Sequence, residues 1–290
     1  MTQRRRTLLL ILLVVVVLNV VVWVLVLYVP NRPLIVSFLN VGQGDAIFIQ
    51  SPTGVQMLID GGRDRSVLRE LGKHMSPLDR SIDLVVATHP DADHIGGLTG
   101  VLQRYRVGTY LSSDGTSETN TAQALRDAVS HEKGVDVLHA KRGQRILLGD
   151  GAYADVLFPD RSVAGVESNT GSIIMRVVYG ETSFMLSGDA PSSIEDWIVA
   201  LDGPSLESQV LKAGHHGSRT STDETWLAAV DPNIVVISAG KDNSYGHPHQ
   251  EVLERIAGSG ASVLSTVEGA VSLISNGVDI RHNHYDILWP

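Results

Sequence analysis

The chain has 290 residues with 23 basic and 32 acidic side chains, eleven histidines and no cysteine. The absent cysteine excludes a thiolate metal site, a disulfide framework and a cysteine nucleophile. The net charge of −9 argues against strong non-specific binding to nucleic acid.

Three arginines, Arg4 to Arg6, precede "LLLILLVVVVLNVVVWVLVLYV", Leu8–Val29, where Asn19 is the one polar residue. A bilayer core of about 30 Å takes about 20 helical residues, so the run is long enough to span. A cleaved signal peptide would carry a shorter apolar region, roughly 7–15 residues, and a small-residue cleavage site. Here "PNRP" follows. The run therefore reads as an uncleaved anchor. The expected organisation is a basic cytoplasmic N-terminus over 1–7, a transmembrane anchor over 8–29 and one domain over 30–290. The arginines place the N-terminus in the cytoplasm, and so the domain outside it. Residues 1–29 hold no acid, which leaves 20 basic against 32 acidic residues beyond them, a net charge of −12.

"LIVSFLNV", "DAIFIQS" and "VQMLIDGG" are apolar or alternating runs separated by Gly42-Gln43-Gly44 and Pro52-Thr53-Gly54. They predict a β-meander. "SVLRELGKHM" predicts a helix with Ser66 as its N-cap. A buried strand over Ser81–Ala87 and a helix after His94 follow. Next come a strand at "GTYLSS" and a helix over Thr121–Ser130. Strands are expected at "AYADVLFP" and over Ser172–Asp189, the latter a hairpin turning at Tyr179-Gly180. Helix and strand then alternate through "SSIEDWIVAL", "SQVLKAG", "DETWLAAV", "PNIVVISAG" and "HQEVLERI", before two closing strands, "ASVLSTVE" and "AVSLISN". No linker divides this body. Two mixed sheets covered by helices is the economical layering.

Ligand-type residues fall on this map in a pattern. Asp60 ends one strand, and His89, Asp91, Asp93 and His94 follow another. Asp189 ends the hairpin. His215 and His216 follow "QVLKAG", and His247 and His249 follow "VVISAG". Each sits at or just past the C-terminal end of a strand, where α/β folds gather their site residues. A single aspartate there is usually a turn residue or helix cap. The joint pattern points to a metal site. Imidazole and carboxylate without thiolate suit Zn²⁺, Mn²⁺ or Fe²⁺. Seven or more candidates exceed what one tetrahedral ion uses, so two divalent ions sharing a bridging carboxylate are expected. Such sites hydrolyse phosphate esters.

"THPDADHIGGL" resembles the H-x-H-x-D-H signature of the metallo-β-lactamase fold, with Asp91 in place of the second histidine. "FLNVGQGDAIFIQSPTGVQMLIDGG", "NTGSIIMRVVYGETSFMLSGDA", "VLKAGHHGSRTS" and "NSYGHPHQEVLERI" extend the likeness. Together, from about Leu34 to about Ile274, they resemble the hydrolase domain of ComEC-type competence proteins. The resemblance implies an αββα sandwich of two mixed sheets flanked by helices, with two ions, Zn²⁺ or Mn²⁺, at its edge. It also implies phosphodiesterase or nuclease chemistry outside the cytoplasm. It assigns His89 and Asp91 to one ion, Asp93 and His94 to the other, and Asp189 to both. His215 matches a histidine ligand, with His216 the alternative or a catalytic group. Asp60 matches a supporting aspartate, and His247 either a last ligand or a proton donor. Where the fold usually offers another histidine, this chain has "SNTGS", so Asn169 and Ser172 are hydrogen-bonding candidates. Ser218 and Lys241 are further candidates for supporting the site or binding substrate. Lys212, Arg219 and Lys241 lie near the motif loops as sources of positive charge. DNA, another phosphodiester or a lactam-like amide are the candidate substrates, and a separate DNA-uptake channel protein is a candidate partner. A whole competence channel has many spans and this chain has one, so DNA translocation itself is not implied.

Overall fold

The computed structural model describes residues 3–27 and 32–283. The chain divides into two units, Met1–Arg32 and Pro33–Pro290. The first contains α1, Gln3–Leu27. Its segment Gln3–Val24 has mean hydropathy 3.1 and none of it is buried. Apolar side chains face every direction around it, as in a membrane span. It is the one helix among the described residues long and apolar enough to cross a bilayer, and it is a candidate anchor. The helix begins before the apolar run and carries Arg4 to Arg6 in its first turns. Tyr28 and Val29, the end of the expected span, lie outside the described residues.

In the second unit β1 (Leu34–Phe38), β2 (Ile47–Gln50) and β3 (Gln56–Ile59) form the expected meander. Next come α2 (Ser66–His74), β4 (Ser81–Ala87), α3 (Ala92–Ile95), α4 (Leu98–Arg104), β5 (Arg106–Ser112), α5 (Asn120–His131) and β6 (Asp136–His139). Then β7 (Arg145–Gly149), β8 (Ala152–Phe158), β9 (Ile174–Tyr179), β10 (Thr182–Leu186) and α6 (Ser192–Asp202) follow. The chain continues through β11 (Val210–Lys212), α7 (Glu224–Val230), β12 (Ile234–Ile237), α8 (Gln250–Ser259), β13 (Ser262–Ser265), β14 (Val271–Ser275) and β15 (Ile280–Asn283). Ser66 is not the cap of α2: it is the first helical residue, and Asp64 Oδ1 accepts its N–H at 2.8 Å.

One sheet has the order β15-β14-β1-β2-β3-β4-β5-β6 and the other β13-β12-β11-β10-β9-β8-β7. Alternation decides which side chains meet between them. Phe38, Ile47, Ile49 and Ile59 from the first sheet join Met175, Val177, Phe184 and Leu186 from the second in the inter-sheet core. The intervening residues face helices. Phe48, Leu58 and Val85 pack with α2, α4 and α5, whose Leu71, Val101 and Leu125 are buried. Met185, Leu211 and Val235 pack with Ile198, Trp226 and Ile256 of α6, α7 and α8. The result is the αββα sandwich.

In each sheet the pairing changes from antiparallel to parallel at one strand. That strand is β3 in the first sheet, antiparallel to β2 and parallel to β4. It is β10 in the second, antiparallel to β9 and parallel to β11. Asp60 follows β3 and Asp189 follows β10. Both carboxylates thus follow the C-terminal ends of strands, where α/β folds gather their site residues.

Candidate metal centre

Asp60 is fully buried with φ of 58°. Its carboxylate accepts the Thr88 N–H at 2.8 Å, the Thr88 hydroxyl at 2.6 Å and His94 Nδ1–H at 2.8 Å. With its proton given to Asp60, the Thr88 hydroxyl oxygen can accept from His89 Nδ1, 3.0 Å away. His216 Nδ1 donates to the Ser238 carbonyl at 3.0 Å. In all three rings Nδ1 is thus committed to the protein, which leaves the lone pair on Nε2. The Nε2 atoms of His89, His94 and His216 are buried and have no hydrogen-bond partner among the described residues.

Those nitrogens converge on carboxylates. Asp189 Oδ2 lies 3.2 Å from His94 Nε2, 3.3 Å from His216 Nε2 and 3.8 Å from His215 Nε2. Asp93 Oδ2 is 3.5 Å from His216 Nε2, and Asp91 Oδ2 is 3.7 Å from His89 Nε2. Asp45, His94, Asp189 and His216 each offer a ligand atom within 4.8 Å of the others. A buried group of neutral imidazole lone pairs and carboxylate oxygens is the donor set of a divalent transition-metal ion.

The backbone is shaped to permit this. Gly44 has φ of 123°, and a Cβ there would stand 2.0 Å from the Asp93 carbonyl oxygen. Only glycine lets the loop carrying Asp45 lie against the aspartate loop, where Asp45 N–H donates to Asp93 O at 3.3 Å. His215 and His216 both have positive φ, 47° and 57°. Non-glycine residues in that region cost free energy, and such strain concentrates at functional sites. The His215 carbonyl accepts the Ser218 N–H at 2.8 Å and closes the turn.

Electrostatics without an ion follow from the geometry. Burial alone would raise Asp189, but His216, His94 and Lys212 hold it well below the usual carboxylate range. Burial likewise opposes the charge on His94, yet Asp189 and Asp60 raise its pKa well above the ordinary value. His216 behaves the same way through Asp189 and Asp45. Against burial, His216 and His94 lower Asp93 to about 2. Burial, then His94, push His89 down to about 3. A divalent ion would replace the protons on His94 and His216, so metal uptake releases protons.

The other expected residues fall around this centre. Asp91 lies at the start of α3 and is partly exposed. Ser172 is buried and its hydroxyl accepts the Asp189 N–H at 3.2 Å, which fixes the loop bearing that carboxylate. Asn169 Oδ1 is buried without a partner among the described residues. Ser218 accepts from the Thr220 hydroxyl at 3.0 Å, and Thr220 in turn contacts His215 Nδ1 at 3.1 Å. His216, rather than His215, belongs to the four-residue cluster; His215 is partly exposed at its edge. The His247 ring centroid lies 5.5 Å from that of His215 and 6.3 Å from that of His216. Burial and then His215 lower its pKa to about 4, so the ring is neutral at pH 7. Lys241 is exposed and paired with Glu268 at 3.1 Å. Arg219 pairs with Glu251 at 3.2 Å.

Two site residues escaped the sequence reading. Asp45 follows a Gly-rich turn two residues before β2, and by sequence it reads as the first residue of a strand. Lys212 reads by sequence only as a charge near the motif loops, yet it is fully buried and contacts Asp45 and Asp189. A lysine inside the apolar run "QVLKAG" was the available signal.

The metallo-beta-lactamase superfamily profile matches residues 39–241. ComE operon protein 3 of Bacillus subtilis is 32% identical over 249 residues, 80% of this chain and 31% of that protein. Competence protein ComA of Neisseria gonorrhoeae is 28% identical over 239 residues, covering 82% of this chain and 32% of ComA. The chain thus spans about a third of the length of these relatives. Among solved structures, the metallo-beta-lactamase fold protein YhfI of Bacillus subtilis superposes with a TM-score of 0.56. The overlap covers 87% of this chain and all of YhfI at 13% identity, a likeness of fold alone. Profile, fold and buried donor set agree: the chain belongs to the metallo-β-lactamase superfamily, as a metallo-hydrolase related to ComEC-type competence proteins.

Proposed function

We propose that the chain is a membrane-anchored phosphodiesterase, most simply a nuclease, working outside the cytoplasm with two divalent ions. The observation that carries the reading is the convergence of unpartnered His94 and His216 Nε2 on one oxygen of Asp189, at 3.2 and 3.3 Å. Asp93, His94, Asp189 and His216 would hold one ion. His89, Asp91 and Asp189 would hold the other, with Asn169 beside them. When bound, the ions supply a hydroxide nucleophile near neutrality and stabilise charge on the leaving oxygen. Asp60, Thr88 and Ser238 keep the histidine rings in the ligating tautomer. Ser172 holds the Asp189 loop. His247, neutral near pH 7, would act only as a weak base in relaying a proton from the site.

Support for a nucleic-acid substrate is the similarity to competence proteins. The net charge of −12 beyond residue 29 weighs against it. A phosphodiester of the cell envelope, or a lactam-like amide, is therefore the second reading. A separate DNA-uptake channel would be a partner under the first reading only. The deciding experiment takes purified protein through chelator dialysis and then restores Zn²⁺ or Mn²⁺. Activity is measured on bis-p-nitrophenyl phosphate, plasmid DNA and a lactam reporter. Metal-dependent cleavage of the first two supports the proposal, and cleavage of the lactam alone refutes it. Protease added to intact cells should digest the domain while cytoplasmic controls survive; a protected domain would reverse the orientation.

A further inference from the structure

Lys212 closes β11 on the inter-sheet side, where alternation would otherwise place an apolar residue. Its ammonium is fully buried and has three acceptors. It contacts Asp45 Oδ2, it donates to the Gly188 carbonyl at 2.8 Å, and it lies 3.4 Å from Asp189 Oδ1. A lysine has three N–H donors, so this set satisfies it completely and fixes its direction. Below it, a cavity of about 10 Å³ lined by Asp45, Asp60, Thr88, Met175, Leu186 and Lys212 separates the polar floor from the apolar core.

The arrangement divides the two oxygens of Asp189. Oδ1 belongs to Lys212, and Oδ2 faces the Nε2 atoms of His94 and His216. It also separates Asp45 from the ligands. Asp45 approaches the histidines on their committed edges, 3.4 Å from His216 Nδ1 and 3.9 Å from His94 Nδ1. The Nε2 atoms that would hold an ion are on the opposite edge of both rings. Asp45 is close enough to be grouped with the ligands, but its carboxylate is turned toward the ammonium and the backs of the rings.

We propose that Lys212 and Asp45 form a positioning pair for the metal centre. Lys212 is a resident cation that holds the Asp189 carboxylate in its ligating rotamer before any ion arrives. Asp45 is the counter-charge that keeps Lys212 in place, and it is not itself a ligand. The inference rests on the metal centre but not on the substrate, so it stands or falls separately from the phosphodiesterase reading.

The test is the paired variant Lys212→Met/Asp45→Asn. Removing both charges leaves the net charge of the site unchanged, so a change in affinity does not reflect net charge. Replacing both members of a buried ion pair is often close to neutral for stability, whereas removing one strands a buried charge. Co²⁺ titration followed by its visible spectrum reads the site without any substrate. The expected result is a folded protein with Co²⁺ affinity lowered about 10–100-fold, the usual cost of losing a group that orients a ligand, and an altered spectrum. A folded double variant with the wild-type affinity and spectrum would make the pair purely structural and overturn the proposal. Crystal structures of the unaltered protein with and without Co²⁺ keep the question decidable should the variant not fold. The same Asp189 rotamer, with Lys212 on Oδ1 in both, supports the proposal. An Asp189 that swings only when Co²⁺ enters, or Co²⁺ bound by Asp45, defeats it.

Discussion

The two sheets contribute to the metal centre in different ways. On the first, one stretch from the end of β4 into α3 carries His89, Asp91, Asp93 and His94 within six residues, and Asp60 after β3 braces it from below. On the second, Asp189, the His215-His216 pair and His247 come from three separate loops after β10, β11 and β12. Their placement requires left-handed backbone at both histidines and a buried lysine between the strands. The first half is a local motif with its own support. The second half exists only when three parallel strands are in register, as Leu186↔Lys212 and Lys212↔Val236 show.

Asp189 joins the halves, so its removal should have the largest effect. Asp189→Ala is expected to lose both ions together and fall to background activity, checked by elemental analysis and turnover. Full metal content in that variant would mean the halves bind independently. His247→Ala comes next. It should keep its metal and lose about 10²–10⁴-fold in turnover, the range for general acid–base catalysis. A ring with a pKa of about 4 is neutral at pH 7, so the loss should be equal for good and poor leaving groups. A loss confined to poor leaving groups would restore a proton-donor role. Asp60→Ala attacks the brace of the first half. It frees His94 Nδ1 and the Thr88 hydroxyl, and metal affinity should drop about 10–100-fold while some activity returns at high metal concentration. The smallest effect is expected at His215, at the edge of the second half. His215→Ala should retain its metal, whereas His216→Ala should not. The reverse result would shift the ligand to His215, 3.8 Å from Asp189 Oδ2.

The strands that the sequence did not reveal are β6, β7 and β15. All three are sheet edges. An edge strand buries little and need not alternate: every residue of β6 is exposed. Interior strands such as β4 and β10 announce themselves because both faces are covered. Three of the four edges give no such pattern; β13 (Ser262–Ser265), within "ASVLSTVE", is the exception.

A similar division runs through the site. The sequence by itself determined the ligand types, since a cysteine-free chain with aspartate and histidine at strand ends can build only a nitrogen–oxygen centre. It also determined the apolar run of α1 and the strand ends at which Asp60, His89, Asp189 and His216 would stand. Spacing along one loop is a local property, so "HPDADH" was legible. Tertiary structure alone decided which of two adjacent histidines turns inward, because that depends on the left-handed turn at His215-Gly217. It paired Lys241 with Glu268 and brought Asp45 onto Lys212 across 167 residues of chain. A buried charge is stabilised only by its partner, and that partner comes from another strand, whose approach no local pattern encodes.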